Sequence, residues 1–129
     1  MLKPTREEIA LITFVRRRIF LIRGMRVMLS THLADLYGIE PRGLMRTVRR
    51  NRSHFAHSEA FQLKADEFSI SRFQIGTSKC SKIPHYLPFA FNERGVVTLS
   101  NIVPASRRVV AANVALIHAF IQPYRSYLK

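Results

Sequence analysis

Two spacings of apolar residues alternate along the chain. Thr5 and Glu8 have capping-box spacing, so residues 6–15 predict a short helix. Ile19–Ile22 and Val27–Leu29 are β-rich runs, and Arg23-Gly24 between them suits a tight reversal; together they predict a hairpin. A helical pattern follows, with Ser30 as its expected cap and Leu33 and Leu36 on its buried side, and it stops at Gly38. Pro41 then suits the first turn of a second helix, where its missing N–H costs little. Ala34 lets that helix approach, and Gly38 tolerates the positive φ of a sharp turn.

Further on, Ala60–Leu63 reads as a short strand and Lys64–Gln74 as a helix. In that helix Asp66 and Glu67 lie near the positive N-terminal end, and Phe68, with Ile75 just past its end, is expected to face inward. Residues 76–84 read as a mobile loop. Tyr86–Phe91 is a strand that Pro84 and Pro88 limit to an edge or to irregular pairing. Asn92 is expected to cap a helix to about Ile102, Pro104 to break it, and Ser106 to cap a last helix that Pro123 ends. The expected class is α+β: a small β-hairpin and short strands with a helix-turn-helix and additional C-terminal helices. Three regions follow: an N-terminal basic arm or short helix over 1–17, the main domain over 18–103, and a C-terminal helix over 104–129.

The second helix of the pair, residues 41–51, has two unlike faces. At about 100° per residue, with Arg42 at zero, Leu44 lies near ~200° and Val48 near ~240°, whereas Arg46, Arg49 and Arg50 lie near ~40°, ~−20° and ~80°. One side is apolar and packs; the other presents four arginines. No acidic residue occurs between Pro41 and Ser58, so no carboxylate at i+4 offsets the repulsion among them. Met45 and Thr47 flank the basic face and are placed to touch bases, for instance a thymine methyl.

Composition changes the scale of this observation. Lys and Arg number 21 against 8 Asp and Glu, a net charge of +13. Most of the cations are arginine, the side chain suited to bidentate phosphate and guanine contacts. A polyanionic partner is implied: DNA, RNA or an anionic membrane surface. Membrane association ranks lowest, because the longest apolar stretch, Val109–Ile121, is interrupted by Asn113 and His118 and is too short to span a bilayer. The run Ile9–Val15 has acidic residues before it and Arg16–Arg18 after it, the reverse of a secretory signal. Cys80 is the only cysteine, which excludes an intramolecular disulfide and any multi-cysteine zinc site. A cytoplasmic, nucleoid-associated protein is expected.

Other clusters add less. Arg16, Arg17 and Arg18, with Arg23 and Arg26 on the hairpin, either follow a phosphate backbone or enter a minor groove, or else form a solvated basic edge. His54, His57, Cys80 and His85 match no strong metal-ligand spacing, so no metal or other cofactor is expected. The acidic residues show no nuclease-like clustering, and Cys80 has no partner base, so no enzyme is expected. Val109, Val110, Asn113, Leu116, Ile117 and Phe120 form a broad stripe on the last helix, for core packing or for pairing two copies into a homodimer.

The order of motifs is itself specific. Ile22-Arg23-Gly24 and Val27-Met28-Leu29 precede Leu33-Ala34-Asp35-Leu36-Tyr37-Gly38-Ile39-Glu40, Leu44 and Val48-Arg49-Arg50-Asn51. Phe55, Phe61-Gln62-Leu63, Glu67-Phe68, the run from Tyr86 to Val96 and Leu99-Ser100 continue the series. Over about residues 18–121 the chain resembles the KilA-N/Bro-N superfamily of phage and large-virus DNA-binding domains, in its phage ORF-six-N branch. The resemblance implies a small α+β DNA-binding domain of phage and prophage regulators, often fused to an antirepressor-type module. The chain departs from the pattern at Gly43, Met45, Ala56, Glu59 and Lys64. The expected function is sequence-specific binding of double-stranded DNA in transcriptional control, with residues 41–51 as recognition helix. The alternatives are an antirepressor-like module that binds a repressor protein, and RNA binding.

Overall fold

The computed structural model describes residues 5–69 and 87–127, with side chains described to residue 120. The elements run α1 (Arg6–Arg16), β1 (Ile19–Ile22), β2 (Met25–Leu29), α2 (Ser30–Tyr37), α3 (Pro41–Arg50), a 3-10 turn (Arg52–His54), β3 (Ala60–Gln62), α4 (helical over 65–69), β4 (Phe89–Phe91), α5 (Glu93–Ile102) and α6 (Arg107–Tyr127). This is an α+β protein with one four-stranded antiparallel sheet of order β1-β2-β4-β3.

Local chemistry sets most boundaries. Thr5 and Glu8 form the expected reciprocal capping box at the start of α1. The β1–β2 hairpin turns through Arg23 (φ 54°) and Gly24 (φ 74°), both left-handed as a two-residue hairpin turn of the I′ kind requires. Gly38 ends α2 with φ 72°, a conformation costly for any residue with a Cβ. Asn92 caps α5 by accepting from the Gly95 N–H, and Ser106 accepts from the Val109 N–H at the start of α6.

Three expectations need correction. Ser30 does not cap α2: Leu29 is the capping residue, and the Ser30 hydroxyl accepts from the Phe89 N–H at 3.1 Å, tying α2 to β4. The strand at Phe89–Phe91 is not an edge; it pairs with β2 on one side and β3 on the other. Pro88 stands just outside it and contributes only its carbonyl, to the Leu63 N–H. Pro123 does not end the last helix, which runs on to Tyr127. A proline at 123 has no N–H for the Ala119 carbonyl four residues back. The Arg26 guanidinium supplies that donor, bonding the carbonyls of Ala119 at 3.0 Å and Phe120 at 3.1 Å. Ile75, Tyr86 and the 76–84 loop lie outside the described residues.

The sheet separates two apolar layers. Side-chain alternation sends Phe20, Ile22, Val27, Leu29, Phe61, Leu63 and Ala90 to one face, where Phe68 of α4 packs. Met28, Ala60 and Phe91 face the other way and join the larger helical core. That core is closed by α1 and α6, which give it Ile12, Val15, Val109, Ala112, Leu116 and Phe120. The Tyr37 hydroxyl donates to Asn113 Oδ1 at 2.7 Å, holding α2 on α6. Burial pushes the Tyr37 phenol well above its ordinary pKa, so it stays a donor.

Candidate nucleic-acid interface

The α2–turn–α3 unit carries the site. Leu44 and Val48 are 0% and 1% exposed and anchor α3 in the core. Arg42, Arg46, Arg49 and Arg50 are all exposed on its other side. None of the four has a carboxylate within ion-pair distance among the described residues; the ion pair there is Arg23–Glu67. The turn that sets α3 against α2 is braced from α6. Arg108 donates to the Leu36 carbonyl at 3.2 Å and to the Asp35 carbonyl at 3.0 Å at the end of α2, where the latter also accepts from the Gly38 N–H. A Cβ on residue 38 would come within 2.8 Å of the Arg108 Nε and force that side chain to shift.

Beside α3 runs a cleft of about 520 Å³. Arg42, Met45, Arg46 and Arg49 form one wall, and Ser30 and Thr31 at the start of α2 also line it. Gln62 of β3 and Leu87, Pro88 and Phe89 form the other. Met45 is half-buried between the basic face and the core. Thr47 is also half-buried, and its hydroxyl donates to the Gly43 carbonyl within α3.

The remaining basic residues singled out in the sequence are distributed elsewhere. Arg16 and Arg17 are exposed at the end of α1. Arg18 lies 3.6 Å from the Phe14 ring centroid and donates to the Phe14 carbonyl. Arg23 stacks on Phe61 at 3.9 Å and pairs with Glu67 at 2.8 and 3.1 Å, which holds the Glu67 carboxyl below its usual range. Arg26 braces α6, as described above. None of these five lines the cleft. Conversely, nothing in the sequence marked Gln62 or residues 87–89 as neighbours of α3, because strand pairing brings them there.

One group near the site titrates in an unusual range. His32 on α2 packs on Phe20 with ring centroids 5.9 Å apart, and its Nδ1 is buried without a hydrogen-bond partner among the described residues. Burial, and then the nearby Arg18 cation, lower its pKa below the ordinary 6.5. The unfolded chain therefore binds a proton at a pH where the folded protein does not, and stability falls as pH drops through 6.5. The melting temperature is expected to fall between pH 7 and pH 5, and to fall less in His32→Leu. Equal pH slopes in the two proteins would contradict this.

A model of the ORF6N domain matches residues 17–102, from the end of α1 through α5. The chain belongs to the ORF6N domain family. The match covers the hairpin, the α2–α3 pair and every strand of the sheet, so the cleft lies wholly within the ORF6N domain. No curated protein and no solved structure matches the chain. Among the described residues of this ORF6N protein, no helix is long and apolar enough to cross a membrane, and no three metal-ligating side chains gather.

Proposed function

We propose that this ORF6N-domain protein is a sequence-specific double-stranded DNA-binding protein of phage or prophage type, within the KilA-N/Bro-N group, acting in transcriptional control. The supporting observation is the two-faced α3: Leu44 and Val48 fix it in the core, while four arginines without carboxylate partners face outward. In this reading α2 and α3 form a helix-turn-helix, and α3 enters the major groove. Arg42, Arg46, Arg49 and Arg50 meet the polyanion, with Met45 and Thr47 beside them at base level. Arg16 and Arg17, exposed at the end of α1, extend the positive surface. Arg18, Arg23 and Arg26 have partners within the protein, so contacts from them require those interactions to be shared or exchanged.

Salt titration of duplex binding tests the electrostatic half of this reading. Each phosphate neutralised releases counterions, and log K falls with log [salt] by about 0.9 per contact on B-DNA. Four to six contacts give a slope of about −4 to −5. A flat dependence would overturn phosphate contact.

A protein-interaction role, in an antirepressor or a homodimer, has one observation in its favour. Val110, Val114 and Ile117 on α6 and Val97 on α5 are large apolar residues left between 39% and 54% exposed. Sedimentation of the intact protein beside Ile117→Glu distinguishes the homodimer, because a carboxylate in that stripe would separate paired copies.

A further inference from the structure

The cleft beside α3 has two unlike walls. One is cationic, with Arg42, Arg46 and Arg49 at positions i, i+4 and i+7 of a single helix face. The other is neutral: Gln62 on β3, then Leu87, Pro88 and Phe89 leading into β4. No carboxylate is among the described residues that line it, and neither is Arg50.

Dimensions restrict what fits between these walls. An α-helix with its side chains is about 10–12 Å across, and the major groove is about 12 Å wide. A helix in the groove fills it, so a second wall facing that helix has no room in the same groove. With α3 in the groove, the space left for the cleft would be the border of that groove, a single sugar–phosphate strand. The cleft's 520 Å³ is far too small for a duplex but suits a stretch of one strand. From Arg42 to Arg49 the helix rises about 10 Å at ~1.5 Å per residue, so the three guanidiniums can reach only a short run of consecutive phosphates on one strand. The chemistry agrees with the dimensions. Phosphates would turn to the arginine wall, and the apolar faces of deoxyribose to the half-buried Leu87 and Phe89.

We propose that this cleft seats one backbone strand of duplex DNA, with Gln62 as a contact residue on the wall opposite α3. The proposal rests on the DNA-binding reading above and deepens it. It assigns Arg42, Arg46 and Arg49 to phosphates of that strand, moves Met45 of the same wall from base level to the sugars of that strand, and leaves Thr47 and Arg50 for the groove beyond.

Gln62 is exposed, so it can be changed without disturbing the core. Its amide donates to the Leu87 carbonyl at 3.2 Å, and Gln62→Met serves as the neutral control for loss of that bond. Gln62→Glu keeps the shape and sets a carboxylate against a phosphate; duplex affinity at about 0.15 M salt, where the Debye length is about 8 Å, should fall at least about tenfold. Gln62→Lys should tighten binding several-fold, a gain that a misfolded protein cannot show. Asn101→Asp, exposed on α5 and outside the cleft, makes the same change in net charge and should stay within about twofold of the original protein, as a distant screened charge does. Affinity unchanged in Gln62→Glu, or lowered equally by Asn101→Asp, would overturn the seated strand while duplex binding itself stands. Failure of the unmodified protein to bind any duplex would overturn the DNA reading and this proposal with it.

Discussion

Gly95→Val should cost more than ~3 kcal/mol of folding stability, above the usual range for overpacking. A Cβ on residue 95 would overlap the Glu59 carbonyl oxygen and lie 3.0 Å from its carbon. The obstacle is backbone, and it is pinned from both directions. The Asn92 N–H donates to the Glu59 carbonyl at 3.2 Å, and Asn92 Nδ2 donates to Ser58 O at 3.1 Å. One residue later, Ala60 is in register with Phe91 in the sheet. Neither the start of α5 nor the approach to β3 can give way without breaking the β3–β4 pairing, which also forms the neutral wall of the cleft. Gly43 supplies the contrast, because a Cβ there meets nothing within 4 Å. Gly43→Ala should stabilise by up to about 1 kcal/mol, the helix-propensity difference. Urea unfolding of both variants checks the pair. A Gly95→Val protein within 1 kcal/mol of the original would show that the segment before β3 is not fixed.

The second large effect concerns binding. Arg46→Ala and Arg49→Ala combined should weaken duplex binding by at least about tenfold, about 1.4 kcal/mol. If both meet phosphates, as the cleft proposal holds, the loss is nearly uniform across sequences and the salt slope falls by about 2 in magnitude. Stability should hardly move, since both side chains are exposed and without carboxylate partners among the described residues. Isothermal titration or fluorescence anisotropy at two salt concentrations measures the binding terms, and thermal melting measures the stability.

The sequence already displayed features that depend on neighbours a few residues away. The opposed faces of α3 follow from a 3.6-residue period, and Leu44 and Val48 are buried as that period requires. The reversal at Arg23-Gly24, the stop at Gly38 and the caps at Thr5, Asn92 and Ser106 are likewise local chemistry. What could not be read depends on pairing across the chain. Ser30 has the residue type and position of a cap, yet its hydroxyl serves Phe89, 59 residues on. Pro88 predicts an edge strand only while the third and fourth strands are treated apart from β2. Pro123 would end a helix on its own, but Arg26, nearly a hundred positions earlier, supplies the missing donor.

The same distinction runs through the site. Arginines whose value lies in being free, Arg42, Arg46, Arg49 and Arg50, were legible from the absence of nearby acids. Arginines with distant partners looked the same in sequence: Arg23 on Glu67, Arg26 on α6, Arg108 on the end of α2. Half of the cleft was invisible for the same reason. Gln62 and residues 87–89 reach α3 through the order β1-β2-β4-β3.

The most direct test is selection of bound duplexes from a random-sequence DNA pool, run with the unmodified protein and with the Arg46→Ala, Arg49→Ala variant. If α3 lies in the major groove, the unmodified protein enriches a defined motif and the variant binds that motif at least tenfold more weakly. No enriched motif, together with equal affinity in the two proteins, would contradict the assignment of α3 as a recognition helix.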